Sequence, residues 1–318
     1  MSVARLSLVA LLAAACARTE TAADPLPDLQ RWVSGAEGFD TTSWWLDTGS
    51  EVVVFDAQFT PALAEALIAD IEARTDSPIT TLVVTHPNPD KFNGATAFQA
   101  IGAEVIASAA TALAMPGVHA YKEAYFTSVG AFEPGAYPAL PEVDRTFGDR
   151  LALDLDGAAV ELLVLDAPGV TTTQTVALVG DGPAALVVGD LTAGRAHGWL
   201  EGGIVDGVAT PDLAGWHDAL DELLALGGDG AAVYPGRGEA LPVAVAVDEM
   251  HAWLDSLEQI TADVVGAQAD PATALSGDQA GAIYGEITAR AEAAWPDWGL
   301  SYLVTYGVYG LAWQIAER

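Results

Sequence analysis

One segment of ten residues contains the side chains best suited to chemistry. It reads T-H-P-N-P-D-K-F-N-G from Thr85 to Gly94. A two-zinc hydrolase would have the pattern His-x-His-x-Asp-His here, because zinc prefers imidazole and carboxylate ligands. The chain instead has His86, Asn88, Asp90 and Lys91. The Lys91 ammonium has no lone pair for a cation and would repel one. The segment therefore predicts a metal-site scaffold that has lost most of its metal chemistry.

Composition limits the partners and the size of the core. The chain has 318 residues, of which 51% are apolar, and this is enough for one large core or two modest ones. Its 44 acidic and 12 basic residues leave a formal net charge of −32. Nucleic acid is excluded as a partner, since the sequence offers no basic patch to neutralise phosphates. We interpret the acidic composition as favouring solubility or salt adaptation; recruitment of a cationic partner is the alternative.

Residues 1–16 have the features of a targeting segment. The apolar run Leu6–Ala15 is too short to span a bilayer as a stable helix. Cys16 follows it at once and is the only cysteine, which excludes disulfides and thiolate metal sites. The sequence L-L-A-A-A-C resembles a bacterial lipoprotein signal, with Ala13 where that pattern prefers leucine. We predict lipidation at Cys16 and a lipid-anchored envelope protein, periplasmic or associated with the outer membrane. An ordinary secreted protein or a chance apolar start are the alternatives.

The first half of the chain alternates strands and helices. Residues 17–28 are small and polar and predict a tether. The elements predicted next are strands on both sides of a turn at Asp47–Ser50, a helix over Pro61–Arg74, a strand over Ile79–Val84, a helix over Gly94–Ile101 and a strand over Ala103–Ala107. This order predicts a mostly parallel sheet that is covered on both faces and delivers His86 at a strand end.

The second half predicts hairpins first and helices afterwards. Turns at Asp156–Gly157 and at Gly180–Pro183 each separate two apolar runs, and Asp190 ends the last of them. A helix near 212–226, a strand over 231–234 and the sequence P-G-R-G follow. From about residue 244 the pattern is helical. The last segment, 298–316, has no charged residue, and its tyrosines and glycines favour a packed or pocket-covering helix over a membrane span.

Five short motifs together resemble the metallo-β-lactamase superfamily. In chain order they are F-D-A, T-H-x-x-x-D, A-P-G-V-T, V-V-G-D and Y-P-G-R-G, and they extend the resemblance over Thr42 to Gly238. It implies an α/β fold, a four-layer αββα sandwich with its active site along one edge. We place this domain at residues 29–243 and a C-terminal helical extension at 244–318.

The resemblance also places the metal positions of the family on this chain. They fall on His86, Asn88, Asp90, Lys91, Val170, Asp190 and Arg237. Three of them keep the residue type of the family, while two of the others have become cations. The resemblance therefore implies a salt-bridged cluster in which Lys91 and Arg237 neutralise the two aspartates, because buried carboxylates without partners are costly. We expect no cofactor; one zinc or iron ion on His86, Asp190 and His197 is the alternative.

Other polar residues have both a functional and a structural interpretation. His197 is a candidate base or ligand, with Glu201 as its partner, but a hydrogen-bonded loop histidine and a solvated acid are the simpler interpretations. A neutral Lys91 would be a base or nucleophile, yet with Asp90 beside it we expect a protonated, paired lysine. We interpret three other histidines and a threonine run as structural: His119, His217, His251 and Thr171–Thr173.

Three functions remain open from the sequence. The first is a noncatalytic or ligand-binding protein that takes a small molecule and contacts the membrane through its lipid anchor. The second is a hydrolase with a non-standard or single-metal site, for which the catalytic candidates are His86, Lys91, Asp190 and His197. The third is a structural component of the envelope. The sequence leaves the ligand and the oligomeric state undetermined.

Overall fold

The computed structural model describes residues 28–180, 185–228 and 230–318. The predicted signal segment, the lipidation site Cys16 and the tether as far as residue 27 lie outside the described residues. The tip of the predicted turn after Gly180 also lies outside them.

The described residues form fourteen strands, ten α-helices and one short 3-10 helix at Ala36–Gly38. The strands are β1 (Gln30–Val33), β2 (Thr42–Asp47), β3 (Val52–Phe55), β4 (Ile79–Val84), β5 (Glu104–Ser108), β6 (Arg145–Phe147), β7 (Arg150–Leu153), β8 (Val160–Val164), β9 (Thr175–Val179), β10 (Ala185–Gly189), β11 (Gly203–Val205), β12 (Val208–Thr210), β13 (Ala232–Pro235) and β14 (Leu241–Pro242). The helices are α1 (Pro61–Glu72), α2 (Pro89–Phe92), α3 (Ala95–Ala100), α4 (Ala109–Ser128), α5 (Leu213–Gly227), α6 (Val243–Gly266), α7 (Pro271–Ser276), α8 (Ala280–Ala294), α9 (Tyr302–Gly307) and α10 (Tyr309–Ala316).

Two six-stranded sheets form the centre of the molecule. The first has the order β1-β2-β3-β4-β5-β6, and the second has the order β14-β13-β10-β9-β8-β7. Strands β3 to β6 are parallel, as the alternation of strands and helices predicted, while β1 and β2 add antiparallel pairs. Both predicted hairpins of the second half, β7–β8 and β9–β10, are present.

The two sheets pack face to face, and helices cover their outer faces. Along β3, Val53 and Phe55 face the second sheet, whereas Val52 and Val54 face α1 and α3. This alternation follows from the two-residue period of a strand, and it explains why the strand is apolar on both faces. Helices α5 and α6 cover the second sheet. The four layers are therefore helix, sheet, sheet and helix, as expected.

The C-terminal helices share a core with the second sheet. Trp253 and Leu257 of α6, Ile287 of α8 and Leu311 of α10 are fully buried in the same apolar cluster as Val233 of β13. This part of the chain therefore depends on the sandwich for its packing. No helix in the described ranges is both long and apolar enough to cross a membrane.

Two elements differ from the sequence prediction. Helix α4, with 20 residues, was not predicted, and it contains an internal Pro116 that weakens the helical signal. The predicted terminal helix consists of α9 and α10, which meet at Val308. There the backbone packs tightly on the loop between β10 and β11, because a Cβ on Gly310 would lie 2.3 Å from the Glu201 carbonyl oxygen.

Candidate functional site

The ends of three strands meet at one edge of the sandwich. His86 follows β4 of the first sheet, and α2 then presents Asp90 and Lys91. Asp190 and Arg237 follow β10 and β13, which are parallel neighbours in the second sheet. Parallel strands end at the same edge, so residues separated by about 150 positions in the sequence become adjacent.

Two cations and two carboxylates form a buried cluster at this edge. Lys91 Nζ lies 2.8 Å from Asp90 Oδ2 and 2.9 Å from Asp190 Oδ1. Arg237 Nη2 lies 3.0 Å from Asp90 Oδ2, and Arg237 Nη1 donates to Asp190 Oδ2. All four side chains are buried, and Lys91 is completely inaccessible to solvent. Each cation therefore pairs with both carboxylates, as the sequence led us to expect.

Neutral groups complete the cluster. Thr41 Oγ1 lies 2.9 Å from Asp90 Oδ2, and Arg237 Nε donates to the Phe39 carbonyl at 2.9 Å. The backbone of Gly236 lies against the ion pairs, since a Cβ there would be 2.2 Å from Asp190 Oδ1. The site therefore tolerates no side chain beside Arg237.

The pairing keeps all four groups charged. Burial alone would raise the pKa of Asp190, but Arg237 and Lys91 outweigh it and hold that pKa well below its usual value. The pKa of Asp90 is lowered in the same way, as Lys91 and Arg237 outweigh its burial. Burial would lower the pKa of Lys91, but the two aspartates raise it. Lys91 is thus a protonated, paired lysine and not a neutral base.

A third carboxyl group, that of Asp56, lies next to the cluster. Asp56 Oδ1 accepts from the Thr85 backbone N–H and side chain, both at 2.9 Å, and Thr85 Oγ1 lies 2.9 Å from His86 Nδ1. Burial raises the pKa of Asp56 to about 6, although Lys91 and His86 act in the opposite direction. His86 Nε2 is 3.6 Å from Asp190 Oδ2, beyond hydrogen-bond range, and has no hydrogen-bond partner among the described atoms.

The family model of the metallo-β-lactamase superfamily matches residues 36–238, more than half of the chain. The chain belongs to this superfamily. A search of curated protein sequences finds no match.

Solved structures of metallo-β-lactamases have the same fold. The metallo-β-lactamase from Pontibacter korlensis superposes with a TM-score of 0.52 at 18% identity, over 71% of this chain and 94% of that one. The protein TMB-1 superposes with a TM-score of 0.51 at 16% identity, over 72% of this chain and 98% of that one. At these identities the similarity establishes the fold alone.

The residues at the metal positions of the superfamily do not fit a metal centre. Lys91 and Arg237 already occupy both carboxylate oxygens of Asp190 and the Oδ2 oxygen of Asp90. Val170 is fully buried in the apolar core and offers no donor atom. Across the described ranges, no group of three His, Cys, Asp or Glu side chains is placed to hold a metal ion.

Among the described residues, His86, Asp190 and His197 do not form a group placed to hold a metal ion. After Asp190 the chain first runs beside Arg237, whose carbonyl accepts from the Gly194 N–H, and Ala196 then pairs with Gly299 near the C-terminal helices. His197 is buried between Trp253 and Trp298, and its Nδ1 accepts a hydrogen bond from Trp253 Nε1 at 3.1 Å. Burial lowers its pKa, so it is a neutral packed side chain.

The interpretation of Glu201 as a solvated loop acid is also wrong. Its side chain is 1% exposed, and it accepts hydrogen bonds from Lys122 Nζ and, at 2.9 Å, from Trp199 Nε1. The Lys122 ammonium lies 5.0 Å from the centre of the Trp199 ring. A second buried ion pair therefore positions an aromatic side chain next to the first cluster.

Sequence reasoning missed Lys122, although the sequence contained a signal for it. Lys91 and Lys122 are the only lysines in the chain. Lysine is almost never fully buried unless it is paired, yet both of these are buried in ion pairs beside one cavity. When a strongly acidic chain has only two lysines, each lysine is expected to pair with a specific carboxylate.

The cluster forms the floor of a cleft. An inner cavity of about 20 Å³ is lined by Phe39, Phe59, Asn88, Pro89, Asp90, Lys122, Phe126, Asp190, Trp199 and Arg237. An outer cavity of about 320 Å³ shares three of these walls and is lined by Ala36, Phe39, Tyr125, Phe126, Val129, Ala131, Trp199, Tyr302 and Tyr306. The tyrosines of α9 thus cover the cleft, in agreement with the predicted packed or pocket-covering helix.

The remaining polar candidates have structural partners. His119 Nε2 lies 2.8 Å from the Pro138 carbonyl oxygen, and Thr171 Oγ1 donates to the Thr173 carbonyl. His217 and His251 meet between α5 and α6, with their Nδ1 atoms 2.6 Å apart. These contacts agree with the structural interpretation of these residues.

Removal of one cation should destabilise the protein strongly. Lys91→Met leaves Asp90 and Asp190 buried with Arg237 alone, and we expect the free energy of unfolding in urea at pH 7 to fall by about 3–5 kcal/mol. Arg150→Met is the matched control, because the Arg150–Glu161 pair is exposed and should be worth about 1 kcal/mol or less. Equal effects of the two substitutions would contradict the role of the cluster.

Asp56 should make stability depend on pH. Because its pKa in the folded chain, about 6, exceeds its usual value of 3.8, the folded state holds the proton more tightly, and stability is lost as pH rises from about 4 to 6. Asp56→Asn removes this titration. We expect the variant to gain about 2–3 kcal/mol relative to the unmodified protein between about pH 4 and 7. A stability difference that is constant over this range in urea unfolding would contradict the burial argument.

Proposed function

We propose that this metallo-β-lactamase-fold protein is a noncatalytic, ligand-binding lipoprotein of the bacterial cell envelope. One observation carries the proposal: Lys91 and Arg237 each pair with both Asp90 and Asp190 at the metal positions of the superfamily. Hydrolysis by a metal hydroxide needs a group that lowers the pKa of a bound water. The protonated cations in this cluster hold their carboxylates instead and leave no donor set for that task.

The cleft supports the ligand-binding part of the proposal. A concave, mostly apolar cavity with a few polar groups at its floor is the usual form of a small-molecule site. The outer cavity is mostly apolar, and it shares Phe39, Phe126 and Trp199 with the inner cavity, which residues of the ion-pair cluster line. The fold thus keeps a site while the residues for two-zinc chemistry are changed.

A hydrolase with a single or non-standard metal site remains the second candidate. What favours it is His86, whose Nε2 atom is buried and has no hydrogen-bond partner among the described atoms. An unpaired buried nitrogen is costly, and a ligated ion would satisfy it. Such an ion would have to displace Lys91 or Arg237 from Asp190.

Metal content separates the two candidates. The soluble chain, expressed from Ala17 with zinc and iron in the medium, should contain far less than one metal ion per molecule by inductively coupled plasma mass spectrometry. The matched control is Asn88→His/Lys91→His/Arg237→His, which restores three imidazoles and should raise the zinc content severalfold, with folding checked by circular dichroism. Close to one tightly held ion in the unmodified chain would overturn the proposal and favour the hydrolase.

The envelope location is tested separately at Cys16. In a bacterial host, Cys16→Ser in the full-length chain should block processing of the precursor and shift the protein out of the lipidated membrane fraction, since only the thiol can be lipidated. Ala13→Leu supplies the residue that the lipoprotein pattern prefers and should be processed at least as well as the unmodified chain. Unchanged processing and fractionation of Cys16→Ser, by immunoblot, would rule out the lipid anchor.

A further inference from the structure

The walls of the outer cavity are aromatic and uncharged. They are formed by Phe39, by Tyr125 and Phe126 of α4, by Trp199, and by Tyr302 and Tyr306 of α9. No lysine, arginine, aspartate or glutamate of the described ranges lines this cavity. Its volume of about 320 Å³ is within the range of small-molecule sites.

The cavity walls are held in place by bonds that point away from the cavity. Tyr302 OH donates to Asp40 Oδ2 at 2.7 Å, and Trp199 Nε1 donates to Glu201. Phe39 packs edge-on against Trp199, with ring centres 6.1 Å apart. Because the polar ends of Tyr302 and Trp199 are already satisfied, these two side chains present mainly their rings to a ligand. The cavity is therefore formed before a ligand arrives, which lowers the entropic cost of binding.

The inner cavity limits what can extend beyond these rings. Its volume of about 20 Å³ has room for about one water molecule, or a single oxygen of a ligand. The amide of Asn88 lines this space and can both donate and accept a hydrogen bond. A hydroxyl or carbonyl oxygen fits this position, whereas a larger polar group does not.

The charges around the inner cavity are already matched. Asp90 and Asp190 share two cations, and Lys122 is paired with Glu201. A ligand with a net charge would therefore bring an ion into a buried site that has no free counter-ion, and an unpaired buried charge is costly. The match of charges thus selects against anions and cations alike.

We propose that this cleft binds an uncharged, mainly aromatic or alkyl small molecule, with one hydroxyl or carbonyl oxygen directed at Asn88 and the ion-pair cluster. The rings occupy the outer cavity, and burial of their apolar surface supplies most of the affinity. The proposal rests on the proposed ligand-binding function and specifies the chemical class of the ligand.

Three probes with the same ring system test this class. They are 1-naphthalenemethanol, 1-naphthoate and 1-naphthylmethylammonium, which at neutral pH are uncharged, anionic and cationic. Each competes with the uncharged fluorescent probe N-phenyl-1-naphthylamine for the soluble chain expressed from Ala17. The titrations are run in about 1 M NaCl, where a Debye length of about 3 Å screens the large negative charge of the chain. The alcohol should bind at least about tenfold more tightly than either ion, a difference of about 1.4 kcal/mol.

A variant with a larger side chain in the outer cavity tests whether the probes bind there. Ala131 lines the outer cavity and is exposed, so Ala131→Trp should occupy the cavity without disturbing the core. Ala272→Trp, at an exposed position on α7, is the control. Alcohol binding should fall at least about tenfold in the first variant and stay unchanged in the second.

The outcomes separate this proposal from the proposed function. Tighter binding of either ion, lost in Ala131→Trp, would overturn the ligand class and leave a ligand-binding cleft. Binding that survives Ala131→Trp, or no binding of any probe, would overturn the cleft as the site, while a metal-free chain would still support the ion-pair cluster. Stoichiometric metal would overturn the proposed function whatever the probes do.

Discussion

The neutrality of buried charge is the constraint on which the site depends. Asp90 and Lys91 come from α2, which follows β4 of the first sheet, whereas Asp190 and Arg237 follow strands β10 and β13 of the second. Each cation bridges the two aspartates, so the ion pairs join the two halves of the sandwich at the edge that carries the candidate site. Loss of any one charge leaves its neighbours buried without compensation.

Stability alone does not account for this cluster. Buried ion pairs are often no better than apolar side chains of the same volume, since the desolvation of each ion offsets most of the attraction. The chain nevertheless keeps both aspartates and adds both cations, together with a second ion pair between Lys122 and Glu201. Asp90, Asp190, Arg237 and Lys122 line one cavity together with aromatic side chains, and this arrangement supports the proposed ligand-binding function.

The sequence predicted some elements and side-chain contacts correctly and missed others. The strands from β2 to β5 were predicted well because their apolar runs are short, continuous and bounded by turns. The pairing of Lys91 and Arg237 with the aspartates was predictable from charge, because each cation stands where the superfamily has a metal ligand. Helix α4 was missed because Pro116 interrupts its pattern, and Lys122 was missed with it.

By itself, the sequence determined most of the order of the elements in the sandwich, the resemblance to the superfamily and the kinds of charge at the metal positions. The elements follow from local periodicity, and the superfamily and its metal positions follow from the resemblance of five short motifs; both are independent of distant contacts. Only the tertiary structure decided the roles of His197 and Glu201. They follow Asp190 by seven and eleven residues, and over that length the chain can run either toward the ion-pair cluster or away from it. It runs toward the C-terminal helices at His197 and returns to Lys122 at Glu201. Packing between distant segments sets that path, and local sequence does not encode it.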